Sequence, residues 1–227
     1  MSDDFTTILA QLESLADPEA VAGMARYGIV GNVVYGIKMP VLRQMAKEIG
    51  KDHELAQELW AADIRETRIL ASLVDDRKLV DEAQMERWVA DFDSWEVCDQ
   101  VCSNLFGRTP HAYAKALDWS GRPEEFVKRA GFVLMARAAH KDMKTPNADL
   151  LACLPIIERE ANDDRNFVRK AVNWALRDIG KRNLTLNVAA IETAERLTDQ
   201  DSKNARWNGR DALRELTSPA VQARLNA

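Results

Sequence analysis

A tryptophan set among cations is the first place where residue types in this chain suggest chemistry. With residues 164–181 placed at 100° per step, Val168, Val172, Ala175 and Ile179 gather on one side of a helix. Lys170, Arg177 and Lys181 gather on the other, and Trp174 falls with them. A tryptophan among Lys and Arg on an exposed face is unusual, because so large an apolar ring is ordinarily buried. On a helix near 94–107, Trp95 and Asp99 stand four residues apart and share a face, while Val97, Val101 and Leu105 supply the core. A third helix, near 123–141, is apolar nearly all round yet carries Arg129 and His140 on one stripe. A cation on a buried helix needs an anion, and Asp99 or a phosphate would serve. Plainer readings exist for each. A neighbouring helix would cover Trp174, and Asp99 would be half of an ordinary ion pair.

Other chemistries find little support. There is no Gly-rich phosphate fingerprint, no Gly-x-Ser-x-Gly elbow and no His-Glu-x-x-His zinc motif. His53, His111 and His140 are scattered, so a Ser-His-Asp arrangement is unsupported. Cys98 and Cys102 share a helix face, but two thiols without further ligands do not make a zinc site and read as small core residues. No metal and no cofactor is expected.

The elements that must position these residues are almost all helices, because apolar residues recur at spacings of three and four and strand-like alternation is nearly absent. Helices are expected at 4–15, 18–27, 39–50, 53–61, 63–75, 81–91, 94–107, 110–119, 123–141, 147–161, 164–181, 185–197 and 203–216. Start signals include Ser94 before Trp95-Glu96, Pro123 in a first turn with Glu124 and Glu125, and Asp163-Asp164. The stretch Tyr27 to Lys38, with three glycines, reads as a loop closing under Pro40. Helix pairs recur every ~35–40 residues, the period of HEAT-type repeats. The expected architecture is an all-α solenoid of stacked antiparallel HEAT-like helix pairs with a concave basic surface, residues 1–227 forming one domain.

Charge is unevenly spread. Residues 1–100 hold 10 Lys+Arg against 20 Asp+Glu, and residues 101–227 hold 21 against 16, which together give the net −5. A basic face can therefore coexist with an acidic total, since the field near a surface is set locally. The acidic N-terminus lacks a signal-peptide pattern and no apolar run is long enough to span a bilayer. With three cysteines and no disulfide framework, the chain reads as a cytoplasmic protein that avoids membranes.

Trp95-x-x-x-Asp99, then Arg129, then Lys170-Ala-Val-Asn-Trp174-Ala-Leu-Arg177, in that order, resemble the DNA alkylation repair family of HEAT-like-repeat DNA glycosylases. Met24-Ala-Arg-Tyr27, Gly36-Ile37, Pro40, Arg43-Gln44 and Glu58-Leu59-Trp60 extend the resemblance over roughly residues 20–215. It implies a monomeric enzyme acting on duplex DNA that contains positively charged N3- or N7-alkylated purines. Asp99 matches the catalytic carboxylate, and Trp95 and Trp174 match the tryptophans that flank the damaged nucleotide without a separate base pocket. Arg129 matches an arginine near the carboxylate and the DNA backbone, and Arg177 a further basic residue of the DNA-facing surface. Lys170 and Lys181 join Arg177 as phosphate contacts. The alternative is a non-catalytic HEAT-like protein that binds damaged or branched DNA, or a protein partner.

Overall fold

The computed structural model describes residues 3–140 and 143–226, and every element of regular structure in them is helical. Fourteen α-helices follow one another: α1 Asp3–Ser14, α2 Pro18–Ala25, α3 Met39–Ile49, α4 His53–Ala61, α5 Arg65–Val74, α6 Glu82–Ala90, α7 Trp95–Asn104, α8 Ala112–Trp119, α9 Glu125–Ala138, α10 Asn147–Glu160, α11 Asn166–Gly180, α12 Leu184–Thr198, α13 Lys203–Leu216 and α14 Pro219–Leu225. A 3₁₀ turn, Phe106–Arg108, follows α7. Two compact units divide the chain, Met1–His111 and Ala112–Ala227.

Local chemistry explains most boundaries. Asp17, Asp52, Asp81, Ser94, Asn183, Ser202 and Ser218 each accept a backbone N–H from the first turn of the helix they precede. Two expected starts fall differently. Pro123 precedes α9 rather than opening it, and its carbonyl accepts the Arg165 guanidinium at 2.5 Å. Arg165, not Asp163 or Asp164, is the residue before α11, and Asp163 takes both its N–H and its guanidinium. The helix expected over 123–141 ends at Ala138, so His140 lies beyond it and is exposed; residue 141 falls outside the described residues. Helix α14 is too short at 7 residues to show a period in the sequence.

In the first unit the Gly-containing stretch is a loop, tied down by a buried carboxylate. Glu66 accepts the backbone N–H groups of Tyr35, Gly36 and Ile37 at 3.0–3.2 Å and the Arg65 guanidinium at 2.6 Å. Gly36 has φ +80°, and a Cβ there would lie 2.5 Å from the Asp17 carbonyl oxygen. Only glycine fits both demands. Among the described residues, the one pairing of strand type is an isolated bridge from Val33 to Ile64. Trp60 and Trp88 stack with centroids 4.1 Å apart.

Long-range side-chain bonds give the repeat spacing a physical form. In the first unit Tyr35–Glu66, Trp60–Asp91 and Arg65–Glu96 all link residues 31 apart. In the second, Asn173–Asn208 spans 35 residues, and Arg129–Phe167 and Arg177–Glu215 span 38. Within each unit, these bonds tie elements one repeat apart. In the second unit α9, α11 and α13 pack side by side in that order, and α12 packs against α10, α11 and α13.

Candidate nucleic-acid interface

Helix α7 forms because Ser94 caps it and Glu96 lies in its first turn, where the free N–H groups favour an acid. Its core face holds Val97, Cys98, Val101 and Cys102, all at most 1% exposed. Trp95 and Asp99 lie at the edge of that face and are half-buried. The Trp95 indole N–H donates to the Tyr27 carbonyl at 2.9 Å, so the loop pinned by Glu66 also fixes this ring. Glu96, between them in sequence, turns inward to accept Arg65 Nε at 2.7 Å. Cys98 and Cys102 are buried, in keeping with small core residues.

In the second unit the core stripe of α11 is as periodicity requires: Val168, Val172, Ala175 and Ile179 are fully buried. Lys170 is exposed, and Trp174 and Arg177 are half-buried, as is Lys181 at the helix end. The Trp174 indole N–H donates to Asp178 at 2.7 Å. Neither Arg177 nor Lys181 stands bare. Arg177 is bonded to Glu215 and lies 3.9 Å from Asp211, and Lys181 bridges Asp178 and Glu215 at 2.8 Å each. Burial alone would lower the Lys181 ammonium, but its bonds to Asp178 and Glu215 hold it above the usual lysine value. The same bonds outweigh burial at Glu215 and keep that carboxyl below its ordinary range. Arg177 and Lys181 are therefore fully matched by carboxylates, and Lys170 is the outlying cation.

Arg129 is 5% exposed on α9, and its Nη1 donates to the Phe167 carbonyl at 2.5 Å. It joins α9 to the first turn of α11. The structure so brings Trp95 and Asp99 together on one helix of the first unit. It brings Arg129, Lys170, Trp174, Arg177 and Lys181 onto two packed helices of the second.

Sequence reasoning missed a second cationic face. Lys203, Arg206, Trp207, Arg210 and Arg214 line one side of α13, and Arg169 of α11 lies over the Trp207 ring at 4.7 Å. Their spacing was legible in the sequence. It also missed Asp178, Asp211 and Glu215, whose partners sit one turn or one repeat away.

A family model for DNA alkylation repair enzymes matches residues 8–216. The chain belongs to that family. No curated protein matches the sequence. Among solved structures, the chain is similar to a protein described as a new family related to the HEAT-like repeat DNA glycosylases with affinity for branched DNA structures. The TM-score is 0.79 and the identity 21%, over 97% of this chain and 95% of that one. A designed armadillo repeat protein in complex with a (KR)4 peptide matches at a TM-score of 0.39 and 15% identity, over 82% of this chain and 88% of that one. Family membership and this likeness identify the fold as HEAT-like. No helix among the described residues is long and apolar enough to cross a membrane.

Proposed function

We propose that this member of the DNA alkylation repair family is a DNA glycosylase that excises positively charged N3- or N7-alkylated purines, with Asp99 as the essential residue. The observation that carries the reading is the α7 pair: a half-buried carboxylate one turn beyond a half-buried indole that is held by its own hydrogen bond. An alkylated purine bears a formal positive charge, so an indole face attracts it. The same charge makes the base a good leaving group. The C1′–N bond breaks, the bonding pair neutralises the purine, and the sugar becomes an oxocarbenium-like cation. An ionised Asp99 stabilises that cation and orients the water that adds at C1′; the added water gives up one proton to solvent, leaving an abasic sugar and the free base. Trp174 and Arg129 are proposed to act toward the DNA in the roles the resemblance implies. Lys170, Arg177 and Lys181 would contact phosphates, and Lys170 is the most accessible of the three.

The test is release of 7-methylguanine or 3-methyladenine from methylated duplex DNA. Asp99→Asn should lower the rate by about two orders of magnitude or more, with the helical circular dichroism unchanged. Full activity in that variant would sink the assigned mechanism.

A second reading is favoured by the ion pairing of Arg177 and Lys181 and by the affinity for branched DNA of the protein of similar structure. In it the chain binds damaged or branched DNA without chemistry. Tight DNA binding with no base release, unaffected by Asp99→Asn, would select it.

A further inference from the structure

At 100° per residue, Lys203, Arg206, Trp207, Arg210 and Arg214 of α13 fall within an arc of about 100°. The opposite arc holds Ala205, Asn208, Gly209, Ala212 and Leu216, all buried. The helix therefore presents one packed side and one cationic side. With Arg169 from α11, the cationic side lines a groove of about 350 Å³. Five cations face it against one carboxylate, Asp211, and that carboxylate is already engaged by Arg177 and Arg214.

Not all of these cations are committed. Arg206 donates to the Gln200 and Asp201 carbonyls at 2.9 and 2.7 Å, and Arg169 to Asn204 at 3.2 Å. Lys203 and Arg210 are exposed and make no ion pair among the described residues. Like charges three and four residues apart on a helix repel, so without an anion this face opposes its own helix. At its centre Trp207 is 39% exposed, and Arg169 stacks on its ring. An aromatic platform bordered by guanidinium and ammonium groups is the chemistry of single-strand binding, in which bases stack and cations follow the phosphates.

We propose that the α11/α13 groove binds a single-stranded DNA segment, with an unpaired base stacked on Trp207 and phosphates held by Lys203 and Arg210. The choice of DNA over other polyanions rests on the proposed function. The stacking and its preference for unpaired bases rest on Trp207 alone.

The experiment is fluorescence anisotropy with a labelled oligothymidylate, a blunt duplex and inorganic polyphosphate, over a series of salt concentrations. Trp207→Ala should weaken oligothymidylate binding about 10-fold and duplex binding by less than about 2-fold, and Trp207→Phe should restore most of the loss. Lys203→Gln with Arg210→Gln should lower the slope of log affinity against log salt by about 1.4, the single-strand value for two phosphates. Circular dichroism and melting of each variant would separate binding loss from unfolding. Equal losses for duplex and single strand, unchanged oligothymidylate binding by Trp207→Ala, or polyphosphate binding as tight as the oligonucleotide would overturn the proposal. If 7-methylguanine release persists while Trp207→Ala binds normally, this site fails and the glycosylase reading stands. If no DNA is bound at low salt, both fail.

Discussion

Residues 1–111 and 112–227 are built from the same kind of helix pair, yet they treat charge in opposite ways. The first unit carries 11 Lys+Arg against 20 Asp+Glu and the second 20 against 16. In the first, acids are drawn inward. Glu66 is fully buried among three amides and Arg65, and burial raises the Asp75 carboxyl despite hydrogen bonds from His53 and Gln84. Burial likewise raises Asp93 against the opposing charge of Arg68. In the second unit the cations win. Lys128 and Arg159 lower Glu160, Arg165 lowers Asp163, and Lys181 with Arg177 lowers Glu215, each against the upward push of burial. Acid in the first unit mainly builds structure, whereas the second keeps cations to spare at its surface. That contrast leaves a cationic surface on a protein whose net charge is −5.

The comparison breaks most readily at Glu66. Glu66→Ala removes the acceptor for three loop amides and one of two carboxylates on the buried Arg65. A loss of about 3 kcal/mol in urea unfolding is expected, because a buried cation is left half-compensated. Hydrogen exchange should locate the loss in the first unit, and the Trp95 environment should change with it through Tyr27. Uniform loosening of both units would contradict the assignment.

A smaller effect is expected in the second unit, where stability rests on close packing. A Cβ on Gly209 would lie 2.5 Å from the Ala194 carbonyl oxygen and 2.9 Å from the Thr198 backbone N, so Gly209→Ala must push α13 from α12. The cost should be about 1–3 kcal/mol, read as a lowered melting temperature. A melting temperature equal to that of the parent would show that the two helices can separate freely.

The smallest effect is in pH. Glu160 and Glu215, ordinarily at 4.5, and Asp163, ordinarily at 3.8, are all lowered in the fold. Their stabilisation is present above those values and is lost as pH falls through the folded ones. Asp75 and Asp93 are raised above 3.8, so their contribution is complete below that value and is lost as pH rises through the folded ones. Lowering the pH from neutral toward 3.8 should therefore raise protection of the first unit relative to the second. Hydrogen exchange corrected for intrinsic rates reads that ratio, and a parallel fall in both units would refute the contrast.

Much of the fold was legible because helix period is a local property. The buried stripe of α11, the Ser94 cap and the exact span of α13 all follow from side chains within one or two turns. Boundaries failed where a distant partner intervened. Arg165 reaches back 42 residues to the Pro123 carbonyl, and the Asp163 carboxylate is taken by the same Arg165 side chain. The proposed site divides the same way. Periodicity put Trp95 with Asp99 and Trp174 with Lys170, but it could not see that Glu215, 38 residues on, would claim Arg177.

What the sequence determined by itself is therefore the helical class, the core stripes and the faces that carry indoles and charge, because each depends on spacing along one helix. What only the tertiary structure decided is which charges remain available. Arg177 and Lys181 are taken by α13 and by Asp178, and Arg129 is buried against α11, whereas Lys203 and Arg210 are left open beside Trp207. Neutralisation acts across a few ångströms of space, and residues one repeat apart in sequence become neighbours only once the helices have packed.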